Sequence, residues 1–144
     1  MSEFKKYPTE YKDKDCLKAA LAEQGYTEVE EHEQAQPLYD YHGRQTTYLD
    51  KTGDKANIIV RRKYVGGAAN DLGFKKEADG TYTAIISQFD RGKHNVKWMT
   101  DLKRHYNEKI TAKEAKRQNL KPYTVAKEIT VNGRKVTRVQ YLQN

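Results

Sequence analysis

The stretch Leu72-Gly73-Phe74-Lys75-Lys76-Glu77-Ala78-Asp79-Gly80-Thr81-Tyr82-Thr83-Ala84-Ile85-Ile86-Ser87 decides the fold class. Leu72 and Phe74 lie two residues apart, so they share one side of a short strand. Asp79-Gly80 is a strong hairpin-turn dipeptide, because both residues tolerate the positive φ that a tight turn needs. Residues 81–89 are rich in β-formers, and the adjacent Ile85-Ile86 predicts burial on both faces. Two strands joined by so short a turn are antiparallel.

Outward from this hairpin, the sequence predicts further strands and two helical segments. Towards the N-terminus, residues 4–11 read as a strand. Asp13 is the N-cap of a helix with apolar Leu17, Ala20 and Leu21, bordered by Cys16, and Gly25 stops it. Residues 26–33 read as a strand with an acidic edge, and residues 37–43 as a strand or ordered loop. Residues 46–49 and 57–65 read as a hairpin about the polar turn 50–54. That places Arg61, Arg62 and Lys63 on a strand. Residues 66–70 read as a flexible connection. Towards the C-terminus, Asn95 caps a helix with Val96, Met99, Leu102 and Tyr106 at three- and four-residue spacing. The capping box at Thr111-Ala112-Lys113-Glu114 allows either a restart there or one helix over 95–118. A final hairpin turns at Asn132-Gly133. The fold class is α+β: a mostly antiparallel sheet with two or three helices on one face, in one domain over 1–144. The two ends read as distant β-α-β-β repeats.

Composition limits the function classes. The 144 residues are 33% charged and 36% hydrophobic, with 11 Tyr, 3 Phe and 1 Trp. Large rings must therefore supply much of the core. No run reaches the length of a membrane span, and residues 1–11 lack the apolar region of a signal peptide. The lone Cys16 excludes an internal disulfide, so a reducing, cytoplasmic setting is expected. A bacterial or phage-infected cell fits this, or a plastid stroma if the gene is organellar. Charge is unevenly distributed. Residues 1–50 hold 6 Lys and Arg against 11 Asp and Glu, whereas 91–121 hold 10 against 3. Such asymmetry points to a basic surface for an anionic partner, although solvated faces give the same pattern.

Several blocks resemble one family. These are Met1-Ser2-Glu3-Phe4, the helix from Asp15-Cys16-Leu17 to Gln24-Gly25-Tyr26, Leu72-Gly73-Phe74-Lys75 with Asp79-Gly80-Thr81-Tyr82, and Leu102-Lys103-Arg104-His105-Tyr106 followed by Ala112-Lys113-Glu114-Ala115. They resemble the hypothetical chloroplast reading frame thirty-five family, a domain of unknown function found in plastids, cyanobacteria and some large phages. The resemblance implies a small α+β protein without a known active site. It also implies an accessory or adaptor role, since the cyanobacterial genes tend to lie near those of a ferredoxin-like protein and an AAA+ ATPase.

The residues themselves carry little catalytic pattern. Gly66-Gly67 lacks the frame of a phosphate-binding loop, and His32, His42, His94 and His105 lack metal-ligand spacing. Cys16 borders an apolar helix stripe, where a thiol is ordinarily core. Asp90, Arg91 and His94 place an acid, a cation and a base in one loop, an arrangement that serves proton transfer or simply a solvated loop. No catalytic residue, metal ligand or cofactor is assigned, and no enzymatic activity is expected. The stronger signal is the basic set Arg61, Arg62, Lys63, Arg91, Lys93, Lys97, Lys103, Arg104, Lys113, Lys116 and Arg117. Cations for phosphates, interleaved with tyrosines for stacking, suit RNA or single strands. The expected function is thus a basic nucleic-acid-binding protein that does not touch membranes. The alternative is an adaptor or phage-encoded inhibitor docking on an acidic host protein or an AAA+ ATPase.

Overall fold

A computed structural model describes residues 3–118, together with the backbone of the strands at 120–131 and 134–143. The chain divides into two compact units, Met1–Tyr106 and Asn107–Asn144. The first holds β1 (Phe4–Pro8), α1 (Lys14–Glu23), β2 (Glu30–Pro37), β3 (Lys55–Val60), a one-turn α2 (Arg62–Val65), β4 (Leu72–Lys76) and β5 (Tyr82–Ser87). A single helix, α3 (Val96–Arg117), starts in the first unit and runs into the second, without a restart at Thr111. The second unit also holds β6 (Leu120–Val131) and β7 (Arg134–Gln143). The α+β class is as expected.

The five strands form one antiparallel sheet in the order β1-β5-β4-β3-β2. Its centre is the β4–β5 hairpin, in which Gly73 faces Ile85 and Phe74 faces Ala84. β6 and β7 pair antiparallel in a sheet of their own, with Val131 opposite Arg134. The turn residues Asn132 and Gly133, and Asn119 as a helix end, lie outside the described residues. The end segments share the order strand, helix, strand, strand, but β1 pairs within the five-stranded sheet that holds β2 and β3, whereas β6 and β7 form a two-stranded sheet.

Strand alternation divides the core. Ile58, Val60, Leu72, Phe74, Ala84 and Ile86 share one face, and all are buried. The helices bury apolar residues of their own, among them Cys16, Leu17, Ala20 and Leu21 of α1 and Leu102 and Tyr106 of α3. Full burial of one such Leu, Ile or Phe contributes about 1.5–3 kcal/mol. The other face packs Ile59, Ile85 and Phe4 against Leu38, Ala56 and the partly buried Leu49, with no helix residue. Ile85 and Ile86 therefore serve opposite faces, as their adjacency predicted. Gly73 sits where a Cβ would lie 2.7 Å from that of Ala56 and 3.0 Å from Leu38, so no larger residue fits there.

The α1 termini follow the sequence reading. Asp13 Oδ1 accepts from Cys16 N at 2.9 Å, and Gly25 follows the helix at φ +95°. The Tyr106 hydroxyl accepts from Lys12 N and Asp13 N, which ties α3 to the α1 entrance. Asn95 Oδ1 accepts from Trp98 N and caps α3.

Four expectations need correction. Residues 46–49 and 57–65 do not form a hairpin. The buried Asp54 carboxylate accepts from Tyr48 N, Leu49 N, Asp50 N and the Thr46 hydroxyl. A side chain thus uses donors that a ladder would need, and β3 pairs with β2 and β4 instead. The acidic strand begins at Glu30 rather than 26, because Tyr26 N bonds back to Leu21 O in the helix end. Its irregular pairing is bridged by Asn57, whose amide donates to His32 O and Glu33 O. Arg61, Arg62 and Lys63 do not lie on a strand. β3 ends at Val60, Arg61 is the N-cap of α2, and Asp71 Oδ1 captures Arg62 N at 2.8 Å. Lastly, the connection 66–70 is not a loose linker. Ala69 and Asn70 are buried, and Asn70 is hydrogen-bonded at both ends of its side chain.

Candidate nucleic-acid interface

Asn70 and Asp71 bring three loops of the first unit together. Asn70 Oδ1 accepts from Tyr41 N at 2.8 Å, while its amide nitrogen donates to Ser87 Oγ at 3.1 Å and Asp90 Oδ2 at 3.2 Å. Asp71 Oδ2 accepts from Tyr39 N and from Arg61 Nη1, at 2.8 and 2.9 Å. Arg61 also pairs with both oxygens of Glu30 and donates to Pro37 O. The buried side chains of Asn70 and Asp71 both find partners, so the loops are held by bonds that water cannot easily replace. Arg61 is a strut in this network, with its guanidinium 5.4 Å from the centre of the Tyr39 ring.

Aromatic side chains emerge on the outside of this network. Tyr41, Tyr64 and Phe89 are 37%, 43% and 57% exposed. The Tyr41 and Phe89 rings are nearly parallel, with centroids 5.8 Å apart, and the His42 ring lies 3.9 Å from Tyr41. Solvent-exposed rings in such an arrangement offer stacking faces.

Cations are seated among them over glycines. Arg62 Nη1 donates to Tyr41 O at 3.1 Å, and a Cβ on Gly43 would lie 3.4 Å from its Nη2. Lys93 Nζ donates to Val65 O at 3.1 Å and reaches Gly66 O at 3.4 Å. A Cβ on Gly66 would come within 2.9 Å of that ammonium. Both cations are held in place by carbonyls, and both keep donors for an anion. Lys63 lies over the Tyr64 ring at 4.9 Å. Arg62 and Lys63 line an open groove of about 540 Å³ with Tyr39 and Gly67, and Gly67 and Lys93 line a smaller pocket of about 290 Å³.

The remaining basic residues are dispersed. Arg91 is exposed in the loop at 89–93 and has no acidic partner among the described residues. Lys97 and Arg104 flank Asp101, at 2.9 and 3.9 Å. Lys103 is exposed on α3. Lys113, Lys116 and Arg117 are exposed in the second unit, where Arg117 pairs with Glu114. Of the expected set, the structure gathers Arg62, Lys63 and Lys93 with the exposed rings.

Asp90 and His94 belong to the scaffold. His94 is buried against Trp98 and Tyr26, with the Tyr26 hydroxyl 2.8 Å from Nε2. Burial pushes its pKa down to about 4, against the opposing pull of Asp90. Burial also raises the Tyr26 phenol. Cys16 is buried, as its helix position predicted. Among the described residues no group of three or more His, Cys, Asp or Glu could hold a metal ion, and no helix is long and apolar enough to cross a membrane.

Sequence reading missed Phe89 and the Asn70-Asp71 pair. Phe89 reads as the end of a strand, but Ser87 Oγ accepts from Phe89 N and turns the chain into a short 3-10 segment. Ser87 ahead of Asp90-Arg91-Gly92 was the available signal for that turn. No family model, curated protein or solved structure matches this chain.

Proposed function

We propose that this chain is a non-enzymatic, cytoplasmic protein that binds single-stranded RNA or DNA across the loops 39–43, 62–67 and 88–93. The observation that carries the reading is the exposed, near-parallel Tyr41–Phe89 pair beside the carbonyl-anchored Arg62 and Lys93. Rings give stacking to any base, and fixed cations meet the phosphates between bases. Membership of the chloroplast reading frame thirty-five family is part of the same proposal, resting on the sequence blocks quoted above.

Fluorescence anisotropy with a labelled single strand across a salt series tests this. The log–log slope of affinity against salt should become shallower by about 0.7 for each of Arg62→Ala and Lys93→Ala. Phe89→Ala should weaken binding by about 1–3 kcal/mol with the slope unchanged. Absence of binding at low salt, by protein shown to be folded, would overturn the reading. The same Tyr, Phe and Arg composition also suits the centre of a protein interface. An acidic protein or an AAA+ ATPase would then be the partner to seek.

A further inference from the structure

The smaller pocket has a chemical character of its own. Its walls are Gly66, Gly67, Ala68 and Ala69 on one side and Phe89, Asp90, Gly92 and Lys93 on the other. At about 290 Å³ it lies near the lower end, about 300 Å³, of pockets that hold small ligands. The space beside Gly67 and Gly92 is open, since a Cβ on either would meet nothing within 4 Å. The Phe89 ring supplies an aromatic wall and Lys93 a cation.

Asp90 adds selectivity. It is 6% exposed, and its Oδ2 accepts from Asn70 N at 2.9 Å and Asn70 Nδ2 at 3.2 Å. Its Oδ1 accepts no hydrogen bond among the described residues. A buried carboxylate oxygen without a donor favours a ligand that brings one. Among bases, guanine offers its amine beside the N1–H, two adjacent donors. Adenine and cytosine set a lone pair next to the amine, and uracil sets its one N–H between two carbonyls, which a carboxylate repels.

We propose that this pocket takes one unpaired guanine of the bound strand, with its ring on Phe89, its amine on Asp90 Oδ1 and its phosphate on Lys93. The inference rests on the single-strand reading above and gives that surface a base preference. The Tyr41–Phe89 spacing of 5.8 Å is too small for a base between the two rings, so the guanine stacks on the pocket side of Phe89 alone.

The test compares three labelled RNA probes: a uridine dodecamer, the same strand with one central guanosine, and the same strand with inosine there. Inosine lacks only the guanine amine. Guanosine should raise affinity about tenfold, and inosine, which keeps the ring but not the amine, should lose most of that gain. Gly92→Leu should abolish the guanosine preference, so that the three probes bind alike. Gly92 lines the pocket and has no positive φ, so leucine adds bulk at its wall without backbone strain. Equal affinity for all three probes would overturn the pocket while leaving strand binding in place. A preference that survives inosine would overturn the Asp90 contact, and one that survives Gly92→Leu would overturn the location. Failure of every probe to bind would overturn the single-strand reading, and this inference with it.

Discussion

Mild acid should destabilise this protein mainly through His94. The imidazole is buried against Tyr26 and Trp98, and burial pushes its pKa down to about 4 from the ordinary 6.5. The unfolded chain therefore binds a proton that the folded chain refuses between those two values. Stability is fully present above pH 6.5 and falls as pH drops towards 4. The shift corresponds to about 3 kcal/mol over the whole window, at about 1.4 kcal/mol per pH unit. Carboxylates held below their usual range, such as Glu30 beside Arg61, lose their stabilisation at lower pH, below about 4.5. The interval between 6.5 and 4.5 thus isolates the histidine. Urea denaturation of wild type and His94→Gln at several pH values across that interval measures the effect. Wild type should lose about 2–3 kcal/mol, and the variant, having no proton to take up there, should lose little. A flat wild-type profile, or an equal loss in both proteins, would refute the reasoning.

Asp71→Ala should cost about 3–5 kcal/mol in chemical denaturation, because it strips a partner from Arg61 and from two backbone amides; a loss below about 1 kcal/mol would mean that solvent replaces those bonds. Leu21→Ala and Ile86→Ala should each cost about 2–5 kcal/mol by the same assay, since both side chains are buried. Gly73→Ala should cost about 1–3 kcal/mol through overpacking against Ala56 and Leu38, and unchanged stability would show that the sheet yields there. In the anisotropy assay, Lys97→Ala and Arg104→Ala should weaken strand binding less than Arg62→Ala does, because both cations share the Asp101 carboxylate, which lowers the positive potential there.

Local signals made much of the fold legible. Asp13, Gly25, Asp79-Gly80 and Asn95 act through their nearest neighbours in sequence, so their roles can be read from a few residues. The errors share a different cause. Asp54, Asn57, Asp71 and Asn70 are polar residues with the composition of loops, yet each is buried and takes up backbone groups that a pattern of alternating residues assigns to strands. The basic set was visible as composition, but which cations meet exposed rings depends on contacts between residues far apart in the chain. Lys93 reaches Val65 O, and Arg62 reaches Tyr41 O. One-dimensional charge runs weight α3 most heavily, where Asp101 and Glu114 interleave with the cations.

The strand order has a consequence for synthesis on the ribosome. β2, β3, β4 and β5 are neighbours in both sequence and space, so each can pair with its predecessor as it emerges. β1 cannot. Its register runs from Phe4 opposite Ser87 to Pro8 opposite Thr83, and it sits beside the last strand of the sheet to be made. A nascent chain must therefore carry Phe4 and its neighbours unpaired until residues 83–87 have left the exit tunnel. Such distant pairing is slow to form and leaves an unpaired strand available to wrong partners meanwhile. Lys5, Lys6 and Pro8 blunt that hazard, because charge and a missing amide donor both discourage intermolecular strand addition.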